Sequence, residues 1–493
     1  MRLKIKILKW SAGLPVAMLN EKTAEILGVN IGDRITIKTI SKPKKKLTTI
    51  VDIVTKIVKK NEIAISSEIK KIIGLRIGNS VEVELAEGPK SLIFIKKKLN
   101  KIALSENEIN EIIKDVADNS LSEAEIALFI SAMYKQGMSR KETVYLIKAI
   151  LKTGKTLNLK SKFIVDKHSI GGIPGNRTTP IVVSICAAAG LIMPKTSSRA
   201  ITSSAGTADV METITNVDFS MDELKKIVKK TNACLTWGGA LEIVPADSKI
   251  IRIEKMLKID PKAQMLASIM AKKLAVGANY IVIDIPYGEN AKVNKEKALI
   301  LKKDFEYLGR IFKKKLEVMM FETNEPMGMG VGPALELIDV INVLDPKKQG
   351  PMDLEKKSLA LAGKLLEMTK KAKKGKGIDY AREILNSGKA WDKFKQIVEA
   401  QGGKVRKIEP GKFRKDILSP KRGKIFKINN SKINELARVA GGPADKFAGL
   451  RIYISIGDKV KTGTKMMTIY AESKSRLNQA VNFCKDKKPI IIR

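Results

Sequence analysis

Residues Ile164 to Thr207 read IVDKHSIGGIPGNRTTPIVVSICAAAGLIMPKTSSRAITSSAGT. Residues 163–166 (FIVD) read as a buried strand that delivers Lys167-His168-Ser169 at its carboxyl end. Gly171, Gly172 and Gly175 then turn the chain, Pro180 suits the first turn of a helix reaching Ala189, and Gly190 stops that helix. Residues 191–194 (LIMP) read as a second strand, with Lys195–Thr207 as the loop at its end. Strand, helix and strand in this order predict a parallel α/β sheet, which places ligands beyond the carboxyl ends of its strands. Lysine, arginine, hydroxyl and glycine N–H groups are what proteins use to hold phosphate oxygens, and two such clusters bracket one short helix. One anion site, or two, is the expectation. A strand-to-helix turn alone would account for the glycines, but Lys167, Ser169, Thr178 and Thr179 around them favour the anion. The loop matches neither the Walker pattern nor G-x-G-x-x-G, and the run Gly328-Met329-Gly330-Val331-Gly332 resembles a nucleotide fingerprint only superficially.

Strand and helix signals continue outward from this stretch. Ser220 and Glu223 box a helix start, and strands are predicted at Cys234–Trp237 and Tyr280–Asp284. Upstream, residues 102–153 carry helical periodicity with three capping boxes, Ser105–Glu108, Ser122–Glu125 and Ser139–Glu142. Further upstream, Asn20–Ile37 and Ser66–Val83 repeat one another, aligning Gly28 with Gly74, Ile31 with Ile77 and Gly32 with Gly78. Two copies of a strand–helix–strand unit predict a small pseudo-symmetric β-barrel of double-psi type. Beyond Pro410 the chain turns β-rich. The predicted class is α/β: a helical domain plus a large α/β domain, an N-terminal double-psi-like β-barrel and a C-terminal α+β domain. The expected boundaries are residues 1–85 for the barrel, 99–162 with part of 245–278 for the helical domain, 163–408 for the phosphate- and nucleotide-binding domain, and 409–493 for the last domain.

A chain of 493 residues exceeds one core. The formal net charge is +40, but the lysines are scattered in twos and threes and aromatics make up only 5%. Steering of a small anionic substrate fits this pattern better than nucleic-acid binding. No apolar run is long enough to span a bilayer, and the N-terminus reads as a strand rather than a signal peptide, so a cytoplasmic protein without a membrane partner is expected. Three cysteines at wide spacing and a single histidine argue against a metal site or a disulfide, and no cofactor is expected.

His168, set between Lys167 and Ser169, reads as a hydrogen-bonding residue, a proton carrier or a structural histidine. In residues 252–273, Asp260 precedes Pro261 and can cap a helix on which Asp260, Gln264, Ser268 and Lys272, spaced by four, form a polar stripe. That stripe is either a solvated face or one wall of a substrate cleft.

Together, D-K-H-S-x-G-G at 166–172, S-x-R at 197–199, A-G-T at 205–207 and A-S-I-M-A-K-K at 267–273 resemble the thymidine/pyrimidine-nucleoside phosphorylase family over residues 100–493. Thymidine phosphorylases read K-H-S-T-G-G and S-G-R-G-x-G-H-T-G-G-T where this chain has KHSIGG and SSRAITSSAGT. With the N-terminal barrel and the I-D-P-x-x-Q-M-L segment, these departures resemble the family's archaeal-type AMP phosphorylase branch across essentially the whole chain. The resemblance implies reversible phosphorolysis of a nucleoside 5′-monophosphate to free base and ribose 1,5-bisphosphate, in a homodimer or larger homo-oligomer. By position, it implies Asp260 as proton donor to the leaving base. It implies nucleotide contacts from Gly172, Ser198, Arg199, Ala200, Ile201, Thr202, Ser203, Thr207, Ser268 and Lys292. Lys167, Ser169, Ser197 and Thr207 match the inorganic-phosphate ligands of thymidine phosphorylases, while Arg252 and Lys272 match base-contacting residues, Arg252 displaced by one position. The alternative is a phosphorylase acting on unphosphorylated pyrimidine nucleosides. An ordinary Asp, with a pKa of about 3.9, is too strong an acid to protonate a base at neutral pH. Asp260 is therefore expected to be raised by burial or by neighbouring anions.

Overall fold

The computed structural model describes every residue except 9–10, 12–14, 42–43, 160, 201–202, 240 and 242. The chain divides into two compact units, residues 1–154 with 244–268, and residues 155–243 with 269–493.

The first unit opens with a closed barrel of six strands: β1 (Arg2–Ile7), β2 (Val16–Asn20), β3 (Arg34–Thr39), β4 (Lys46–Val54), β5 (Glu62–Ile65) and β6 (Ser80–Leu85), joined in the order β1-β5-β2-β4-β3-β6. The repeat explains its pseudo-symmetry. Helices Glu21–Leu27 and Ser67–Ile73 end on Gly28 and Gly74, both left-handed. In the turns that follow, Asp33 accepts from the Asn30 N–H and Asn79 accepts from the Arg76 N–H, so one polar side chain closes each copy. Alternating Leu3, Ile5, Leu19, Ile35, Ile37, Ile63, Val81 and Val83 fill the interior. The helices Glu106–Ala117, Glu123–Gln136 and Arg140–Lys152 each begin with the expected capping box. Glu142 does more than cap: its carboxylate also accepts from buried Lys98 at 2.8 Å and from the Leu104 N–H at 3.0 Å. Helix Pro245–Leu257 completes this group.

In the second unit, β7 (Val165–Ser169), β8 (Met193–Ser197), β9 (Ala233–Trp237), β10 (Tyr280–Tyr287) and β11 (Lys315–Glu322) form the parallel scaffold. The order β11-β10-β7 is joined to the pair β8-β9 by a parallel bridge from Ile164 to Ile192. Helix Thr178–Ala188 begins two residues before the expected Pro180, because Thr178 and Thr179 are buried and fold into its first turn. The strand expected at residues 191–194 is shifted to β8, since Lys195, Thr196 and Ser197 keep pairing with Leu235, Thr236 and Trp237. The C-terminal region is α+β: Phe413–Leu418, Lys465–Ala471, Gly449–Ile452 and Gly330–Val331 form one sheet, and Lys459–Val460, Gly423–Ile428 and Ile490–Ile492 another. Helices Asn430–Ala440 and Lys474–Lys487 accompany them. Among the described residues, no helix is long and apolar enough to cross a membrane.

Candidate active site

Because β7, β8, β9 and β10 run parallel, their carboxyl ends bring Ser169, Ser197, Trp237 and the Asp284 region to one edge. Lys167 lies two residues inside that edge on β7. Its Nζ donates to Thr178 Oγ1 at 2.6 Å and to Thr179 Oγ1 at 3.4 Å, with Asp284 Oδ2 4.0 Å away. Burial pulls the Lys167 pKa from 10.5 to about 7; Asp284 opposes that pull, and Lys357, Lys195 and Arg177 add to it. Asp166 takes Lys273 Nζ at 2.5 Å and Lys195 Nζ at 3.4 Å, and Asp284 takes Lys357 Nζ at 3.0 Å. Four lysines thus face two aspartates, and all six residues are at most 5% exposed. Buried charge is normally paired, so this formal excess of positive charge suits an anion. The nearby Arg177–Glu336 pair at 2.7 Å is already balanced.

The loop after β8 is organised by acidic groups. Asp209 accepts from the N–H of Ala200 at 2.7 Å and of Gly206 at 2.8 Å. Arg199 donates to both carboxylate oxygens of Glu212, at 2.6 and 2.8 Å, and its guanidinium lies 4.8 Å from the Trp237 ring. That bidentate pairing holds Arg199 above its usual pKa and drops Glu212 to about 2. The expected reserve of positive charge on Arg199 is therefore already taken by Glu212. Arg177 donates to Thr207 Oγ1 at 2.8 Å and to the Ala205 carbonyl at 2.8 Å, fixing the loop's far end. Ser197 Oγ is buried with no partner among the described residues, as a ligand-binding hydroxyl would be. Ser198 lies beside this loop's end, its carbonyl accepting from Ala208 N–H, while Ser203 Oγ donates to the Ala205 carbonyl. Ile201 and Thr202 lie outside the described residues.

Gly172 has φ +97°, and a Cβ there would meet Lys292 Cβ at 2.9 Å, so Lys292 is brought against the glycine turn. His168 is half-buried; burial, then Lys273, Lys195, Lys272 and Lys167, push its imidazole well below the usual pKa. It is neutral at pH 7 and poorly suited to carry a proton. The Gly328–Gly332 run binds an internal carboxylate instead of a nucleotide, since the N–H groups of Met329 and Gly330 both donate to Asp339 at 2.7 Å. A cleft of about 580 Å³ beyond β11 includes Glu322, Glu325 and Asp353 in its walls and none of the residues expected from the sequence. Lys356 and Lys357 line it as well, so its walls carry charge of both signs.

Asp260, Ser268 and Arg252 belong to the first unit, Lys272 to the second. The stripe on helix Lys262–Ala275 is not a solvated face: Gln264 donates to Asp247 Oδ1 at 2.9 Å and Ser268 to Asp247 Oδ2 at 3.0 Å, with all three buried. Arg252 pairs with Glu123 at 2.7 Å on the surface. Asp260 is exposed, so the burial expected to prepare it as an acid is not present. Asp284, Lys357, Lys195, Lys273, Arg177 and Asp247 escaped the sequence reading. A charged residue ending an apolar strand, as in YIVID at 280–284, was the available signal for Asp284.

Comparison with known proteins defines the class first. Residues 93–154 match the glycosyl transferase family helical bundle domain, residues 161–391 the glycosyl transferase family a/b domain, and residues 424–490 the pyrimidine nucleoside phosphorylase C-terminal domain. Anthranilate phosphoribosyltransferase from Thermus thermophilus shares the fold, with TM-score 0.53 and 17% identity over 63% of this chain and 99% of its own. Over the full length, the chain is 47% identical to the AMP phosphorylase of Pyrococcus abyssi and 44% to that of Pyrococcus furiosus, covering 100% of this chain and 98% of each relative. It is 41% identical to the AMP phosphorylase of Methanococcoides burtonii, covering 100% and 97%. The chain belongs to the AMP phosphorylase family.

Proposed function

We propose that the chain is a pentosyltransferase catalysing phosphorolysis of nucleoside 5′-monophosphates, with AMP as the leading substrate and CMP and UMP as others. An oxygen of inorganic phosphate attacks the anomeric carbon, the bond to the base breaks, its electron pair leaves with the base, and ribose 1,5-bisphosphate forms. Negative charge develops on the departing base, and Asp260 supplies the proton there. Lys167, Ser169, Ser197 and Thr207 hold the attacking phosphate. Gly172, residues 198–203, Thr207, Ser268 and Lys292 hold the nucleotide, and Lys272 and Arg252 act toward the base. With Arg199 committed to Glu212, the loop's contribution to the nucleotide phosphate falls to its N–H groups and hydroxyls, with Lys292 beside the Gly172 turn as the cation. His168 serves as a neutral positioning residue. Assembly as a homodimer or larger homo-oligomer belongs to the same reading.

The observation that carries the proposal is the buried excess of lysine around Asp166 and Asp284, a charge balance that an oxyanion completes. A second reading, phosphorolysis of unphosphorylated pyrimidine nucleosides, is favoured only by the C-terminal domain match. The test is a screen of AMP, CMP, UMP, adenosine, uridine and thymidine, with and without phosphate. Base release confined to the monophosphates supports the proposal; release confined to uridine and thymidine establishes the second reading in its place.

A further inference from the structure

The Asp284 carboxylate stands beside Lys167 and is tied to Ser169 through the Asn176 amide. It is fully buried and lies in register opposite Ser169. Its Oδ2 stands 4.0 Å from Lys167 Nζ and accepts from Asn176 Nδ2 at 3.4 Å; the same amide donates to Ser169 Oγ at 3.4 Å. Its backbone carbonyl accepts from the Ile170 N–H at 3.1 Å, tying down the chain that leaves β7. Lys357, from helix Met352–Met368, forms an ion pair with the other carboxylate oxygen at 3.0 Å, without hydrogen-bond geometry. The Lys357 ammonium is itself buried, 4.7 Å from the Phe321 ring.

We propose that Asp284, shared between Lys357 and Lys167, is a positioning residue that holds the Lys167 ammonium and the Ser169 turn in place for the attacking phosphate. This deepens the phosphorolysis reading and rests on it. The charged groups acting on Lys167 are Asp284 from β10, Lys357 from its helix, Lys195 from β8 and Arg177 from the loop before Thr178. Of these four, Asp284 attracts and the other three repel. Lys357 therefore acts on Lys167 in two ways, by direct repulsion and by drawing Asp284 toward itself. Removing Asp284 and removing Lys357 must shift Lys167 in opposite directions, a result that a merely structural role does not produce.

The experiment follows inorganic phosphate binding by calorimetry from about pH 6 to 9, for the full-length chain and for Asp284→Asn, Lys357→Met and Lys357→Arg. Phosphate's own ionisation is common to all four proteins and cancels in the comparison. In Asp284→Asn the pH at which affinity is half lost should fall by about one unit, with about tenfold weaker binding at neutral pH. In Lys357→Met that pH should rise, and Lys357→Arg should restore the wild-type profile. Shifts in the same direction, or no shift in either variant, overturn the proposal. Where Asp284→Asn alone fails to fold, Asp284→Asn combined with Lys357→Met decides: a midpoint pH below that of Lys357→Met alone sustains the proposal, and any other result overturns it. Adenine release from AMP is measured alongside. A wild-type chain that binds phosphate but releases no adenine defeats the phosphorolysis reading while the opposite shifts stay readable, and one that binds no phosphate overturns both.

Discussion

Replacing Lys167 with Met removes a buried ammonium and keeps most of the stem's volume, and it should make the ligand-free protein more stable while disabling phosphate binding. Lys167 is 1% exposed, and burial lowers its pKa from 10.5 to about 7. In the unfolded chain the amine returns to its ordinary value, so between those two pH values the unfolded state binds the extra proton. The folded protein therefore loses stability as pH falls through this window, and the loss is complete below pH of about 7. At about 1.4 kcal/mol per pH unit, the gap bounds the penalty at about 5 kcal/mol. The hydrogen bond to Thr178 Oγ1 at 2.6 Å is lost with the amine, which subtracts about 1 kcal/mol. A net gain of roughly 2–4 kcal/mol at pH 7 follows. On the proposed reading, the same substitution also removes a charge-assisted hydrogen bond to phosphate of about 1.5–3 kcal/mol and should raise KM for phosphate by roughly 10- to 100-fold. Urea unfolding in phosphate-free buffer measures the first effect, and its gap between variant and wild type should narrow as pH approaches about 10. Phosphorolysis kinetics measure the second. A variant less stable than wild type at pH 7, a gap that does not narrow, or an unchanged KM for phosphate would refute this account of Lys167.

Three further outcomes are expected. Asp260→Asn should lower kcat by about 10²- to 10⁴-fold with AMP affinity by equilibrium dialysis nearly unchanged; full turnover would remove Asp260 from the acid's role. Gly172→Ala meets Lys292 Cβ at 2.9 Å, whereas Gly171→Ala, at φ +84°, meets nothing within 4 Å. Both cost about 1–3 kcal/mol of backbone strain, but only Gly172→Ala should raise KM for AMP, which paired thermal melts and kinetics will separate. Glu142→Gln leaves Lys98 buried without its charged partner and should destabilise the chain by about 3–5 kcal/mol. Although burial alone would raise Glu142, Lys98 and the N–H groups of Leu104 and Ser139 hold it below its usual value. The stability it confers is thus present above the ordinary carboxylate range and lost as pH falls below it, which circular-dichroism melts from neutral to acid pH will show.

Local signals carried the parts of the fold that depend on neighbours in sequence. The paired glycines Gly28 and Gly74 end equivalent helices, and all four Ser–Glu boxes at Ser105, Ser122, Ser139 and Ser220 start helices where they stand. Lys167 and Ser169, expected just beyond the strand at residues 163–166, lie inside β7 at its carboxyl end, because the strand runs on to Ser169. Electrostatics assembled from distant residues were not. Lys357 reaches Asp284 across 73 residues of chain, from 284 to 357, and Lys273 reaches Asp166 across 107. Arg199 had the composition of an anion ligand, but Glu212, thirteen residues on, takes both of its terminal nitrogens. The polar stripe on helix Lys262–Ala275 was visible at its spacing of four, while its buried partner Asp247 lies on another helix.

The most direct test of the central claim is phosphorus NMR of the chain incubated with AMP and inorganic phosphate. The phosphate signal should fall as adenine is released, and a sugar bearing two phosphates, ribose 1,5-bisphosphate, should grow in equal amount. Adenine release without consumption of phosphate, or turnover of adenosine but not AMP, would contradict it.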